Sequence, residues 1–229
     1  MKKSEKRKKK SKDRGIVDFA MIQNHFFHTL TEWINEMNDP RSQSYITYTQ
    51  ADLIYMGILK NICSIESMRQ MEEKFNEDIC IETLGLLSKH RNLKEMPHYD
   101  TLNCYFEKLS PESLSDLRKK MVTGLIRGKQ FYRGRLLNKY WRVIIDGTGL
   151  FYFKERHCEN CLCTTRKNEE GKTIRLYYHK VMEAKIVLGE KLVISLGTEF
   201  IENESETVTK QDCETRAAER LLTRIKKEY

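Results

Sequence analysis

The stretch from Trp141 to Phe153 constrains the fold most: the apolar residues Val143, Ile144 and Ile145 lead into Asp146, and Gly147 and Gly149 follow. A short run rich in β-branched residues and punctuated by glycine reads as a buried strand. The expectation is a strand that presents Asp146 near the surface at its carboxyl end. A carboxylate so placed can serve as a metal ligand, but an aspartate beside glycine is as often a turn residue bonded to its own backbone.

Two further β-rich runs follow a polar insert. They span 176–187 and 192–200 and are joined by Leu188-Gly189-Glu190-Lys191, a glycine-containing connection of hairpin length. Val181, Glu183, Lys185 and Val187 alternate with Met182, Ala184, Ile186 and Leu188, so both faces are expected to be largely covered. After a polar, acidic stretch (202–209), Ala217, Ala218, Leu221, Leu222 and Ile225 recur at helical spacing. Asp212 suits the N-cap of that helix, and Arg224, Lys226 and Lys227 suit its carboxyl end.

Residues 16–139 read as mainly helical. One helix is expected over 51–62 and a second, capped by Ser64, through Phe75. The pair suits a helix-turn-helix with Ser67, Arg69 and Gln70 facing DNA, or a plain helical scaffold. Asp100 is expected to cap a helix over 102–109. Ser110-Pro111 starts the next, because proline in the first turn lacks only a donor that would be unpaired anyway. His90, between Lys89 and Arg91, is expected at the surface.

Charge is distributed unevenly. The net charge is +8, yet residues 2–14 hold nine Lys or Arg against Glu5 and Asp13. Residues 1–15 are therefore expected to form a disordered basic tail. A second cluster, Arg118, Lys119, Lys120, Arg127, Lys129, Arg133, Arg135, Lys139 and Arg142, contains no acidic residue. Such a stretch attracts a phosphate backbone, and Phe131, Tyr132 and Tyr140 between the charges can stack on bases or pack inside. A solvated basic helix face is the simpler alternative. No apolar run approaches membrane-spanning length and no signal-peptide core follows the tail, so a cytoplasmic, nucleoid-associated protein is expected.

Seven cysteines, an odd number without a secretory signal, point to reduced thiols. Cys63, Cys80, Cys104 and Cys213 fall in or near helical patterns and are expected to pack. His157, Cys158, Cys161 and Cys163, with His179 further on, have the spacing of a tetrahedral structural zinc site. Exposed thiols in an insert are the equal alternative.

The motifs taken together carry a family resemblance. Ile-Asp146-Gly-Thr-Gly-Leu-Phe, His157-Cys158 with Cys161, Tyr178-His179 with Glu183-Ala-Lys185, and Phe200-Ile-Glu202-Asn203-Glu204 leading to Lys210-Gln211-Asp212-Cys213-Glu214 resemble the DDE transposases of bacterial insertion sequences. The resemblance covers 140–229, and Pro97-His98-Tyr99-Asp100-Thr101-Leu102 is similar to that family's helical amino-terminal region. It implies an α+β protein: a helical, DNA-binding region (16–139), then the first half (strand-strand-strand-helix) of a ribonuclease-H-like domain. It also implies Asp146 as the first catalytic aspartate, Mg²⁺ as cofactor, and transposon ends and target DNA as partners, with a second copy or a complementing transposase fragment.

The family's second aspartate and its glutamate have no position in this chain. Glu199, Glu202, Glu204 and Asp212 match by residue type only. A two-ion site holds its metals about 3.5–4 Å apart, and one carboxylate cannot keep such a pair in register. The sequence is thus expected to be the front part of a transposase, inactive alone. The alternative is a non-catalytic DNA-binding remnant or regulator of transposition.

Overall fold

In a computed structural model, residues 3–190, 192–205, 207 and 210–229 are described, with side chains from residue 14 onward. The contacts divide the chain into two compact units, Met1–Leu117 and Arg118–Tyr229. The division falls earlier than the expected boundary at 139/140. Val122 and Phe131 belong to the core beneath the sheet, so the end of the helical region folds with the strands.

The first unit contains α1 (Lys3–Phe26), α2 (Leu30–Asn35), α3 (Gln50–Ile62), α4 (Met68–Phe75), α5 (Asp78–Ser88) and α6 (Tyr99–Lys108). Helical backbone therefore extends into the segment expected to be a disordered tail. α3 is the hub and touches each of the other five. Ala51, Leu53, Tyr55 and Met56 are wholly buried within it; a helix apolar on nearly every side must be enclosed by others. Thr49 caps α3 in a capping box with Asp52. Asp52 is itself buried, and its Oδ2 lies 2.8 Å from His90 Nδ1, so His90 is half-buried and partnered rather than a surface residue.

Most polar groups trapped between these helices are paired, as burial requires, although Gln23 Oε1 and Asp52 Oδ1 are buried without a partner. Gln23 Nε2 donates to the Tyr55 hydroxyl at 2.8 Å. The Thr31 hydroxyl donates to the Leu87 carbonyl at 2.8 Å, and Tyr105 donates to Gln50 Oε1 at 2.9 Å. Burial pushes the Tyr55 phenol up to about 12, which keeps it neutral and able to donate.

Two local expectations are corrected. Ser67, not Ser64, caps α4, accepting from the Gln70 amide at 3.2 Å; Ser64 sits before it with φ 52°. The proposed DNA-facing set is thus partly occupied, since Arg69 also pairs with Glu73 at 3.3 Å. His98, not Asp100, is the N-cap of α6.

The second unit begins within α7 (Pro111–Arg127), which starts on proline as expected. A 3-10 turn (Tyr132–Gly134), β1 (Arg142–Phe153), β2 (Leu162–Lys167), β3 (Thr173–Leu188), β4 (Leu192–Ile201) and α8 (Glu214–Glu228) follow. All strand pairings are antiparallel, and β3 is the axis. β1 runs along one side of it, from Arg142 opposite Val187 to Phe153 opposite Tyr177. β2 and then β4 occupy the other side, at 173–178 and 180–188 of β3. The unforeseen strand is β2, which lies inside the polar insert.

Directly opposed residues in an antiparallel pair share a face. Met182, Ala184, Ile186 and Leu188 therefore line one face with Val143 and Ile145, and this face packs with Val122, Ala217 and Leu221. The other face carries Ile144, Val193 and Phe200 in the open, 50%, 50% and 44% exposed. The expectation that both faces are covered fails on this side.

α8 starts at Glu214 after Cys213, one residue beyond the expected cap. Asp212 serves instead as an ion-pair partner: Arg220 reaches Asp212 and Glu199, each at 2.7 Å, and Arg224 reaches Glu199 at 3.0 Å. Burial raises the Asp212 pKa, but the Arg220 hydrogen bond, the Cys213 amide and the Arg220 charge together outweigh it and the net direction is down. Folded Asp212 thus contributes stability at neutral pH that is lost as pH falls through its lowered pKa.

Candidate functional site

Asp146 lies within β1, not at its end, because the strand continues to Phe153. The glycines that read as a turn are strand residues. Gly147 leaves room for a close approach: a Cβ there would stand 2.7 Å from Glu214 Oε1 and 3.0 Å from Lys180 Cε, the mobile ends of two side chains that form an ion pair. Asp146 points to the opposite, uncovered face and is exposed. Its Oδ1 accepts from the Gly147 amide at 2.8 Å, the self-bonding geometry common for Asp before Gly.

Glu183 is the residue opposite Asp146 in register, and Lys185 holds its carboxylate at 2.9 Å. Glu199 and Asp212 are engaged by Arg220 and Arg224. Among the described residues Asp146 joins no group of three metal-ligating side chains. The donors present among the described residues do not fit a two-magnesium centre.

The nine cations of the 118–142 stretch divide by burial. Arg118 donates to Thr198 Oγ1 at 3.1 Å, and desolvation lowers its pKa. Lys119 lies 4.0 Å from Glu228. Arg135 is sandwiched, its guanidinium 3.7 Å from the Tyr132 ring and 4.7 Å from the Trp141 ring; cation–π contacts of this kind fix a side chain in place. Arg127, Lys129, Arg133, Lys139, Arg142 and Lys120 are exposed. Phe131 is buried and packs, whereas Tyr132 and Tyr140 remain 43% and 56% exposed.

The cysteine-rich segment provides the best-formed cluster. Cys158 and Cys161 lie in the loop before β2, and His179 projects from β3 on the other side of a tight three-way contact. The two Sγ atoms are 3.6 Å apart, and each lies 3.4 Å from His179 Nε2. Cys161 is buried, Cys158 and His179 half-buried. Burial and the Cys161 thiol push the Cys158 thiol up. For Cys161, burial is outweighed by the backbone hydrogen bonds from Cys158 and His157 together with the Cys158 thiol and the Arg156 charge, and its thiol moves down.

The other two residues of the expected set stand apart. His157 is stacked on Phe153, with ring centroids 4.7 Å apart. Cys163 belongs to β2 and pairs with Tyr177, and its carbonyl accepts from Gln211 Nε2 at 2.8 Å. Of the remaining cysteines, Cys80 is buried and Cys63 half-buried, while Cys104 and Cys213 are exposed and do not pack as expected.

Asn203 is the structural support of this cluster that sequence reading missed. It is buried, and its Nδ2 donates to the Cys161 carbonyl at 2.9 Å. Its carbonyl accepts from Asn160 Nδ2 at 2.9 Å, and its amide donates to the Asn160 carbonyl at 3.1 Å. The residue stands in one of the motifs that carry the family resemblance, but an isolated Asn between two glutamates gives no local sign of such a role.

No helix among the described residues is long and apolar enough to cross a membrane. Comparison with known protein families, with curated proteins and with solved structures finds no match to this chain.

Proposed function

We propose that this chain acts on DNA as the amino-terminal part of a DDE transposase, with Asp146 as the first carboxylate of a phosphoryl-transfer site and the exposed cations of 120–142 as the surface that holds phosphates. The observation that carries this reading is the placement of Asp146, exposed on a strand whose outer edge has no strand partner among the described residues. A ribonuclease-H-like fold would extend its sheet at that edge, with the strand that carries the second aspartate. The order of β1, β3, β4 and α8 matches the opening half of such a fold.

A second reading, a DNA-binding regulator of transposition without catalysis, is favoured because Asp146 joins no group of three metal-ligating side chains among the described residues, and its register neighbour Glu183 is held by Lys185. Incubating the chain with supercoiled plasmid and Mg²⁺ tests what the two readings share, DNA binding by a chain that does not cleave alone. The expected result is retention of the DNA without nicking. Nicking that disappears in Asp146→Asn would replace this expectation with an active enzyme, and failure to retain DNA even at low salt would overturn both readings.

A further inference from the structure

We propose that Cys158, Cys161 and His179 bind one zinc ion, with water as the fourth ligand. Zinc lies about 2.3 Å from thiolate sulfur and about 2.0–2.1 Å from imidazole nitrogen. A regular tetrahedron with those bonds has a sulfur–sulfur edge of about 3.8 Å and sulfur–nitrogen edges of about 3.6 Å. The observed separations of 3.6, 3.4 and 3.4 Å describe one face of that tetrahedron, slightly contracted. Paired thiolates with imidazole favour zinc over the hard cations Mg²⁺ and Ca²⁺, which take oxygen ligands.

Binding releases the two thiol protons to solvent as the zinc–sulfur bonds form, while His179 binds through the lone pair of neutral Nε2. Among the described residues no fourth Cys, His, Asp or Glu joins the group. His157 is occupied by its stack on Phe153, and Cys163 lies outside the group. Water therefore completes the coordination.

The ion has an architectural effect. It ties the loop before β2 to the middle of β3, two segments 18 to 21 residues apart in sequence. Asn203 extends the tie to the segment after β4 through Cys161 and Asn160. Zinc thus orders the insert and the approach to α8 together. This site stands or falls independently of the DNA reading.

The test is titration of the reduced, metal-free full chain with Co²⁺, followed by displacement with Zn²⁺. One equivalent of tetrahedral cobalt is expected, with the charge-transfer intensity of two thiolates, and bleaching by zinc. Loss of a direct ligand is expected to weaken binding at least as much as loss of outer-shell support, about 10–100-fold. Cys158→Ser, Cys161→Ser and His179→Ala should each do so, whereas Cys163→Ser and His157→Ala should bind as the parent does.

X-ray absorption of the zinc-loaded parent chain provides a readout that needs no variant, and should give two sulfurs, one imidazole and one oxygen. Absence of stoichiometric binding, binding that survives His179→Ala, loss of binding in Cys163→Ser, or a Cys158–Cys161 disulfide in the chain kept under reducing conditions would each overturn the proposal.

Discussion

Phe75→Ala is expected to destabilise the first unit by about 3–5 kcal/mol, the usual loss for deleting a buried aromatic side chain. Phe75 is fully enclosed, and with Met71 it supplies the whole buried face of the eight-residue α4. A helix that short has little stability of its own, so its packing decides whether it forms. Typical domains are stable by about 5–15 kcal/mol, so the loss would consume much of the unit's margin.

The two tryptophans of the chain make the measurement clean, because Trp33 lies in the first unit and Trp141 in the second. Urea unfolding followed through Trp33 fluorescence in a Trp141→Phe background should show the midpoint falling sharply. A midpoint unchanged from the parent would mean that α4 is not part of the cooperative core.

Leu221→Ala is expected to cost the second unit about 2–5 kcal/mol. Leu221 and Ala217 are the fully buried residues of α8, and Leu221 rests on the bare backbone of Gly197, where a Cβ would stand 2.9 Å from its Cδ1. That contact is what seats α8 against β4. The ion pairs of Arg220 and Arg224 flank it but are partly solvated, and exposed pairs contribute little. Trp141 fluorescence in a Trp33→Phe background reads the loss. If Leu221→Ala left this transition in place while Arg220→Ala moved it, the electrostatic rim and not the leucine would hold the helix.

Elements whose own residues bury an apolar face were legible in the sequence. α3, α7 and α8 follow from helical spacing and proline at a first turn, and β1, β3 and β4 from β-branched runs. β2 was not legible, because Leu-Cys-Thr-Thr-Arg-Lys has one buried apolar residue, Leu162, and exists as a strand through pairing with the long amino-terminal half of β3. Asp146 was misplaced by its glycines, which read as a turn when Gly147 is in fact the gap through which the Lys180–Glu214 pair approaches the sheet.

The thiol–imidazole cluster was half legible. Cys158 and Cys161 follow from spacing alone, and His179 from its proximity in sequence to the same insert. Excluding His157 and Cys163 depends on a ring stack and on the register of β2, which are tertiary facts. The cationic stretch was legible as charge but not as surface, since only the fold separates Arg118, Lys119 and Arg135, which are half-buried, from the exposed set.

The most direct measurement is the affinity of the chain for duplex DNA across a salt series, with and without neutralisation of Arg127, Lys129, Arg133 and Lys139 to Gln. Each phosphate contact adds about −0.9 to the slope of log affinity against log salt. The four-residue variant should therefore bind more weakly and show a slope shallower by about 3.6 than the parent chain. A parent slope near zero, or one that the four substitutions leave unchanged, would contradict the assignment of this surface to DNA.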